Sequence, residues 1–261
     1  MIGIFDSGVG GLTVVKAIRE RIPDHDLIYF GDTARTPYGI KSAETVVEYA
    51  IENINFLVNH GAVIIVMACN TASSLAFEYA RERFSIPIFE VVTPAVELAL
   101  KISRRLRFGV IGTRATVQSG VYEKKIIENN PEAKIFSIAC PLLVPLVEEG
   151  WLRKPETAMI VKKYLHRLKI RQIDTLLLGC THYPLIKALI QRKIGKHVGI
   201  VDSSICVAEH LEKYLQNQFD RAHLLRKNGI LRLFVSDITH QFEQMAKLTL
   251  KENVKLENAS V

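Results

Sequence analysis

The 261-residue sequence lacks several features that mark large classes of protein. Its four cysteines are widely spaced and include no C-x-x-C pair, so a disulfide framework is not indicated. The longest uninterrupted apolar run, from Ala62 to Cys69, is far shorter than the roughly 20 residues that a membrane helix needs. The first residues begin a strand at once, without the basic and apolar regions of a signal peptide. These absences predict a cytoplasmic protein with no membrane partner.

The excess of basic residues gives a formal net charge of +7, a value that nucleic-acid-binding proteins often reach. Most of this excess is spread along predicted helices, where basic side chains usually face solvent. The densest patch, Arg221–Lys227, contains no interleaved aromatic residues, and the chain carries no recognisable nucleic-acid-binding motif. We therefore expect no nucleic-acid partner.

Short apolar runs alternate with amphipathic stretches along the whole chain, which predicts an α/β fold of parallel sheets with helices on both faces. The apolar runs are unbroken, as expected for strands buried on both sides. The predicted strands are Ile2–Phe5, Leu27–Phe30, Val63–Ala68, Ile88–Val92, Arg107–Ile111, Lys134–Ala139, Thr175–Leu178, Gly199–Val201 and Leu231–Val235. The predicted helices include Leu12–Arg21, Ala43–Asn59, Thr71–Phe84, Ala95–Ser103, Pro155–Leu168 and Ile205–Leu215. The polar tail from Lys251 is expected to be partly disordered.

Two parts of the chain resemble each other. Val63–Thr71 and Thr175–His182 each run an apolar strand into a cysteine and a helix start, and the two cysteines lie 111 residues apart. Ile2–Ser7 and Phe108–Thr113 match at a similar offset. These echoes predict two similar parallel-sheet α/β domains related by internal pseudo-symmetry.

The repeat also predicts where the domains begin and end. Residues 1–94 together with 204–261 are expected to form a discontinuous first domain, and residues 95–203 the second. Ligands of open parallel sheets bind at the carboxyl ends of the strands. We therefore expect the active site in the cleft between the two domains.

Cys69 and Cys180 are the candidate catalytic residues. Each follows a strand and precedes a helix start, a position that lowers the pKa of a thiol, and His182 gives Cys180 a local acid–base partner. Either cysteine alone would be interpreted as a buried structural residue, but the matched pair favours function. Two thiols that face one pocket suit a reaction that removes a proton from one face of a carbon and returns it to the other. Cys140 and Cys206 lack this symmetry and are interpreted as core residues.

Two loops after strands are candidate ligand contacts. The glycines of Asp6–Gly11 allow close approach of a ligand, although Thr13 stands where a dinucleotide-binding motif would need a third glycine. A tight turn would explain these glycines but not Asp6, whose carboxylate could accept or steer a proton. The loop Asp32–Gly39 could close rigidly over a small polar ligand, or could be a simple turn.

Two further segments have both a functional and a structural interpretation. Asn70 or Thr71 is expected to cap the helix that follows Cys69. Glu148 follows the apolar segment Pro141–Val147, which could bring a carboxylate into a dry site, although charged residues at helix ends are common.

Taken together, these motifs resemble those of bacterial glutamate racemases. The likeness runs from Ile2 to about Leu215, in the order and spacing of the family. The resemblance implies two α/β domains with the active site between them, and interconversion of L- and D-glutamate without a cofactor or a metal. It also implies a supply of D-glutamate for peptidoglycan and, by analogy, a homodimer. The motifs that carry it are Asp6–Thr13, Pro37–Gly39, Cys69–Ala72, Pro141–Gly150 and Gly179–Pro184.

The resemblance further implies roles for individual residues. Cys69 and Cys180 would be the acid–base pair, with Asp6 assisting Cys69, while Glu148 and His182 assist Cys180. Some family members carry an N-terminal extension that takes part in activation by a peptidoglycan precursor; this chain begins at the first strand, so such activation is not expected. The residues that would hold the substrate are Asp6, Ser7, Tyr38, Gly39, Asn70, Thr71, Thr181 and His182, and the internal repeat adds Thr113, which aligns with Ser7.

Three other functions remain open at this point. An aspartate racemase or a related isomerase could use the same two cysteines, because sequence alone does not measure the pocket for the substrate side chain. A non-catalytic binding protein could share the scaffold. Metal binding by Cys180 and His182 is a third interpretation, although two ligands do not complete a zinc site. A pyridoxal enzyme would need a Schiff-base lysine, which these motifs do not contain.

Overall fold

The computed structural model describes residues 1–217 and 225–260 and contains two parallel β-sheets. The first sheet has six strands in the order β10-β9-β2-β1-β3-β4, and the second has four in the order β6-β5-β7-β8. All their strand pairs are parallel. The strands are β1 (Ile2–Asp6), β2 (Leu27–Gly31), β3 (Ile64–Met67), β4 (Ile88–Glu90), β5 (Arg107–Gly112), β6 (Lys134–Ala139), β7 (Thr175–Gly179), β8 (Gly199–Asp202), β9 (Leu231–Val235) and β10 (Leu256–Asn258).

Helices connect the strands. Within the described ranges no helix is both long enough and apolar enough to cross a membrane. Part of the basic patch Arg221–Lys227, residues 221–224, lies outside the described residues. The helices are α1 (Leu12–Arg21), α2 (Ala43–Asn59), α3 (Asn70–Arg83), α4 (Val92–Ile102), α5 (Arg114–Gln118), α6 (Val121–Asn129), α7 (Leu143–Glu148), α8 (Pro155–Ile170), α9 (Lys187–Ile194), α10 (Ser203–Asn217) and α11 (His240–Leu250).

The two sheets repeat one arrangement, which confirms the predicted fold of two pseudo-symmetric α/β domains. The order β2-β1-β3-β4 in the first sheet corresponds to β6-β5-β7-β8 in the second. Cys69 follows β3 and Cys180 follows the equivalent strand β7, while Ser7 and Thr113 follow the equivalent strands β1 and β5. After the second sheet the chain returns to the first, where β9 pairs with β2. The domain boundaries near residues 94 and 203 stay a prediction.

The inner strands are buried along their whole length because helices cover both of their faces. Every residue of β1 and every residue of β7 is buried. In parallel sheets of this kind the strands' carboxyl ends carry the polar residues. In this molecule those ends are occupied by Asp6–Ser7, Cys69–Asn70, Thr113 and Cys180–Thr181.

The boundary between β4 and α4 differs from the sequence prediction. The strand ends at Glu90 rather than Val92, and the helix begins at Val92 rather than Ala95. The cause is the carboxylate of Glu90, which accepts the backbone N–H of Val92 and that of Thr93, the latter at 2.8 Å. A carboxylate in this position satisfies N–H groups that the first turn of a helix leaves free.

The C-terminal region contains two elements that the sequence prediction missed. Helix α11 buries Phe242, Met245, Ala246 and Thr249, which is the i, i+3, i+4, i+7 spacing of an amphipathic helix. Strand β10 pairs with β9, so the expectation of a disordered tail is wrong for Leu256–Asn258. The short length and polar flanks of β10 concealed it, because its pairing depends on an edge that only the folded sheet provides.

The burial of α11 predicts that this helix contributes to the stability of the first domain. Phe242→Ala should lower the free energy of unfolding by about 3–5 kcal/mol, as expected for loss of a buried phenylalanine. Leu248→Ala is the matched control, because Leu248 lies on the same helix but is 53% exposed, and should change stability by less than about 0.5 kcal/mol. Urea unfolding of the two variants measures both values. Equal losses would contradict the docking of α11 on the core.

Candidate active site

A cleft of about 370 Å³ lies between the carboxyl ends of the strands of the two sheets. This volume falls within the roughly 300–1,000 Å³ typical of small-molecule sites. Every site residue predicted from the sequence lines the cleft except Asp6. The lining residues are Ser7, Thr36, Pro37, Tyr38, Gly39, Ile40, Cys69, Asn70, Thr71, Thr113, Arg114, Cys140, Pro141, Leu142, Val144, Pro145, Glu148, Cys180, Thr181 and His182.

Asp6 lies behind the wall of the cleft, where its side chain is fully buried. Its Oδ2 accepts the backbone N–H groups of Gly8 and Gly11, each at 3.0 Å, and its Oδ1 accepts the hydroxyl of Thr181 at 3.2 Å. Burial raises the pKa of Asp6 to about 6, although the positive charge of His182 and these hydrogen bonds oppose the shift. Asp6 therefore organises the loop after β1 and ties it to the loop after β7. Its predicted contact with the substrate stays a prediction.

The glycines after Asp6 serve close packing between the two halves of the molecule. A Cβ atom on Gly10 would lie 2.4 Å from Oγ1 of Thr181 and 2.5 Å from Nδ1 of His182. Thr13 then donates its hydroxyl to the carbonyl of Thr181 at 3.1 Å. The loop after β1 thus presses directly on the loop that carries Cys180, which explains its glycines without a bound phosphate.

Cys180, His182 and Glu148 form a chain of polar contacts. Sγ of Cys180 lies 3.7 Å from Nδ1 of His182, and Nε2 of His182 lies 3.0 Å from Oε1 of Glu148. Burial alone would lower the pKa of His182, but the hydrogen bonds and negative charges of Cys180 and Glu148 raise it well above its ordinary value. The raised pKa favours the imidazolium form of His182, whose ring faces both Sγ of Cys180 and the carboxylate of Glu148.

Cys69 has the opposite electrostatic surroundings. Burial, followed by the nearby charge of Asp6, raises the pKa of its thiol to about 12, and the hydrogen bond from the backbone of Ala72 does not offset these effects. The expectation that the helix start favours a thiolate here is therefore wrong, because desolvation outweighs the helix terminus. The Cys69 thiol donates to Oγ of Ser7 at 3.7 Å. The cleft thus presents one thiol, that of Cys69, whose environment favours the protonated form, and a second, that of Cys180, which faces the ring of His182 at 3.7 Å.

Three threonine hydroxyls bridge the two halves of the cleft. Oγ1 of Thr71 lies 2.9 Å from Oγ1 of Thr113 and 3.2 Å from that of Thr116, which is itself 3.0 Å from Thr113. Thr113 caps α5 by accepting the N–H of Thr116 at 3.2 Å. Gly39 packs closely against the side chain of Thr113, since a Cβ atom on Gly39 would lie 2.6 Å from the Cβ atom of Thr113. The sequence prediction did not include Thr116, which completes this cluster from one turn further along the helix.

The side chain of Asn70 is fixed by the second half of the molecule. Its Oδ1 accepts the hydroxyl of Tyr122 at 2.6 Å, and its Nδ2 donates to Oγ of Ser203 at 3.3 Å. The predicted capping role of Asn70 or Thr71 is wrong, because α3 begins at Asn70 and Cys69 occupies the cap position. Both side chains are instead directed to groups across the cleft.

Tyr38 lines the cleft, but its hydroxyl is engaged elsewhere. The hydroxyl donates to the fully buried carboxylate of Asp32 and accepts Nδ2 of Asn53 at 3.0 Å. Arg35 also binds Asp32, at 2.7 Å. A ligand in the cleft would therefore meet the ring or the backbone of Tyr38, and the loop Asp32–Gly39 is held by its buried carboxylate.

Several lining residues were not among the predicted site residues. Cys140 is fully buried, as predicted, but it also lines the cleft; its place directly after β6 was a usable signal. Arg114 follows Thr113 at the start of α5, and the apolar wall is formed by Ile40, Pro141, Leu142, Val144 and Pro145. In the part of the chain that the structure describes, no three histidine, cysteine or acidic residues are grouped to hold a metal, so Cys180 and His182 have no third ligand there.

The chain is similar to known racemases over almost its whole length. The family model described as Asp/Glu/Hydantoin racemase matches residues 12–211. The glutamate racemase of Aquifex aeolicus is 45% identical, over 97% of this chain and 95% of its own. A glutamate racemase structure from Bacillus anthracis superposes with a TM-score of 0.94 at 35% identity, over 100% of this chain and 97% of its own. The structure of the glutamate racemase of Francisella tularensis in complex with D-glutamate has a TM-score of 0.91 at 37% identity. This match covers 99% of this chain and 97% of the other.

The unlike surroundings of the two thiols predict unlike chemical reactivity. Cys69 and Cys180 are equally exposed, each at 5%, so a difference in reaction rate reports protonation rather than access. At neutral pH, iodoacetamide should alkylate Cys180 at least about ten-fold faster than Cys69, because only the thiolate reacts. Glu148→Gln should slow alkylation of Cys180 and leave that of Cys69 unchanged. Peptide mass spectrometry over a time course measures both rates, and equal rates in the unmodified protein would contradict the assignment.

Proposed function

The chain belongs to the Asp/Glu/Hydantoin racemase family and is a glutamate racemase, and we propose that it moves the α-proton with two cysteines and no cofactor. The observation that carries this proposal is that Cys69 and Cys180 line one cleft from equivalent strands of the two sheets. Inversion at a carbon requires a base on one face and an acid on the other. A pair of thiols placed by pseudo-symmetry supplies both.

The proposed reaction begins with Cys180 as the thiolate and Cys69 as the thiol. Cys180 takes the α-proton from one face as the Cα–H bond breaks, and Cys69 delivers its proton to the opposite face as the new bond forms. The protonation states have then exchanged, which prepares the enzyme for the opposite direction. His182 is already hydrogen-bonded to Cys180 and Glu148, so it can shift its proton as the charge on Cys180 changes.

The α-proton is a very weak acid, so the site must stabilise the negative charge that develops on the substrate. Hydrogen-bond donors fixed in advance in a water-poor cleft are suited to this. We assign this role to the hydroxyls of Ser7, Thr71 and Thr113 and to the amide of Asn70, since the hydroxyl of Thr181 already donates to Asp6. Their partners hold them in place before substrate enters, and the apolar wall from Pro141 to Pro145 limits the access of water.

The proposal has consequences for the cell and for the assembly. D-glutamate produced in the cytoplasm would supply the synthesis of peptidoglycan, and the enzyme would act as a homodimer. The domains would comprise residues 1–94 with 204–261, and residues 95–203. Glutamate is favoured over aspartate as substrate by the relatives named glutamate racemase and by the neighbour that holds D-glutamate.

Cofactor independence is tested with protein that has been dialysed exhaustively against a chelator. In heavy water without additions, the protein should introduce deuterium at the α-carbon of both L- and D-glutamate and bring either enantiomer to nearly equal amounts of the two. The reason is that the proton returned by a thiol has exchanged with solvent. Aspartate serves as the specificity control. Activity only after addition of pyridoxal phosphate or a metal would refute the mechanism.

The two-thiol mechanism is tested by serine variants. Cys69→Ser and Cys180→Ser should each reduce kcat for racemisation by about 100-fold or more, because a hydroxyl is almost never ionised at neutral pH and loses the general acid–base contribution. Cys206→Ser is the matched control: Cys206 is buried outside the cleft, so this variant should lose about 1–3 kcal/mol of stability and keep its turnover. Near-normal turnover in either cleft variant would rule out the mechanism.

A further inference from the structure

Arg114 occupies a distinctive position at the mouth of the cleft. It is the first residue of α5, directly after Thr113, and it lines the cleft although it is exposed to solvent. Thr113 fixes the start of this helix through its cap, and Gly39 of the first domain packs against Thr113. The backbone of Arg114 is therefore held at the point where the two walls of the cleft meet.

The charges that line the cleft show what Arg114 contributes. Apart from Arg114 they are the carboxylate of Glu148, the imidazolium of His182 and, in the state assigned above, the thiolate of Cys180. Glu148 and His182 neutralise each other in an ion pair at 3.0 Å. The thiolate would then leave one net negative charge, and Asp6 adds another just behind the wall. Glutamate itself carries one net negative charge, so without a further cation the cleft would repel its own substrate.

No carboxylate among residues 1–217 and 225–260 forms an ion pair with Arg114. Burial raises the pKa of Tyr164, and the positive charge of Arg114 opposes this shift. The guanidinium thus has no acidic partner of its own within the described chain. A planar guanidinium can bind a carboxylate through two parallel hydrogen bonds.

We propose that Arg114 is a substrate-binding residue that attracts glutamate to the cleft and pairs with one of its carboxylates at the mouth. This inference rests on the proposed function, because it takes glutamate as the ligand and a thiolate as the charge to be balanced. Arg114 acts on the association of substrate and not on proton transfer, since the thiols lie deeper in the cleft, each only 5% exposed. The interaction is partly exposed to solvent, so it weakens as salt is added.

The test compares three variants by steady-state kinetics. Arg114→Gln should raise KM for both enantiomers of glutamate by about three- to ten-fold and leave kcat within two-fold, as expected for loss of a partly exposed charge contact. Arg114→Lys, which keeps the charge, should recover most of the loss. Arg104→Gln is the matched control, because Arg104 is an exposed arginine next to the opposite end of β5, and it should leave KM unchanged.

Ionic strength supplies a second readout that a merely structural role would not change. The kcat/KM of the unmodified enzyme should fall as salt rises, and that of Arg114→Gln should fall distinctly less. An unchanged KM, an equal salt dependence, or a loss confined to kcat would overturn the proposal.

A direct binding measurement separates this proposal from the proposed function. Calorimetry with glutarate, an achiral dicarboxylate that cannot be racemised, should show the same weakening in Arg114→Gln. If the unmodified protein fails to racemise glutamate, the proposed function fails, and the glutarate data still decide the role of Arg114. If the protein racemises glutamate and glutarate binds both forms equally, only the role of Arg114 is refuted.

Discussion

The site depends on the buried carboxylate of Asp6, which joins the two halves of the molecule. Its oxygens accept two backbone N–H groups of its own loop and the hydroxyl of Thr181 from the second domain. A buried carboxylate is unfavourable unless such donors surround it, so these contacts are obligatory for the folded state. They press Gly10 against Thr181 and His182, with no room for a side chain between them. The position of His182, and through it that of Cys180, is thus set by a residue at the end of a strand in the other sheet.

A symmetric scaffold here carries an asymmetric pair of groups. Cys69 and Cys180 follow equivalent strands, yet Cys69 faces Ser7 and the negative charge of Asp6, whereas Cys180 faces an imidazolium. The proposed mechanism uses one thiol as acid and the other as base, and these unlike surroundings favour the protonated form at Cys69. The internal repeat therefore places one thiol in each half of the cleft, while the residues that differ between the repeats give the two thiols unlike surroundings.

The sequence was sufficient to predict what depends on pattern. The alternation of strands and helices and the echo between the two cysteine segments predicted the paired sheets and the two cysteines, and the resemblance to glutamate racemases implied most of the other residues expected to hold the substrate. Sequence patterns were insufficient where tertiary contacts determine the pKa, the orientation of a side chain or the existence of a strand. The pKa of Cys69 depends on burial beside Asp6, and the hydroxyl of Tyr38 turns away because Asp32 lies behind it. Strand β10 exists only because β9 offers an edge, and Thr116 joins the threonine cluster only after the two domains meet. Most of these contacts join residues far apart in the chain, and the bond from Tyr38 to Asp32 depends on the shape of a loop, so local periodicity does not report them.

The chemistry also requires two conditions that oppose each other. A dry cleft strengthens the hydrogen bonds that stabilise developing charge, but it also makes a thiolate harder to form, as the pKa of Cys69 at about 12 demonstrates. The series of polar contacts from Cys180 through His182 to Glu148 reconciles these two conditions. Its inner end is buried, whereas the side chain of Glu148 is 32% exposed. Because the carboxylate of Glu148 is partly solvated, it can pair with His182 at 3.0 Å at little desolvation cost. In the proposed mechanism, this arrangement would let Cys180 carry a charge inside the apolar cleft, because the counter-charge of the series is anchored at the surface.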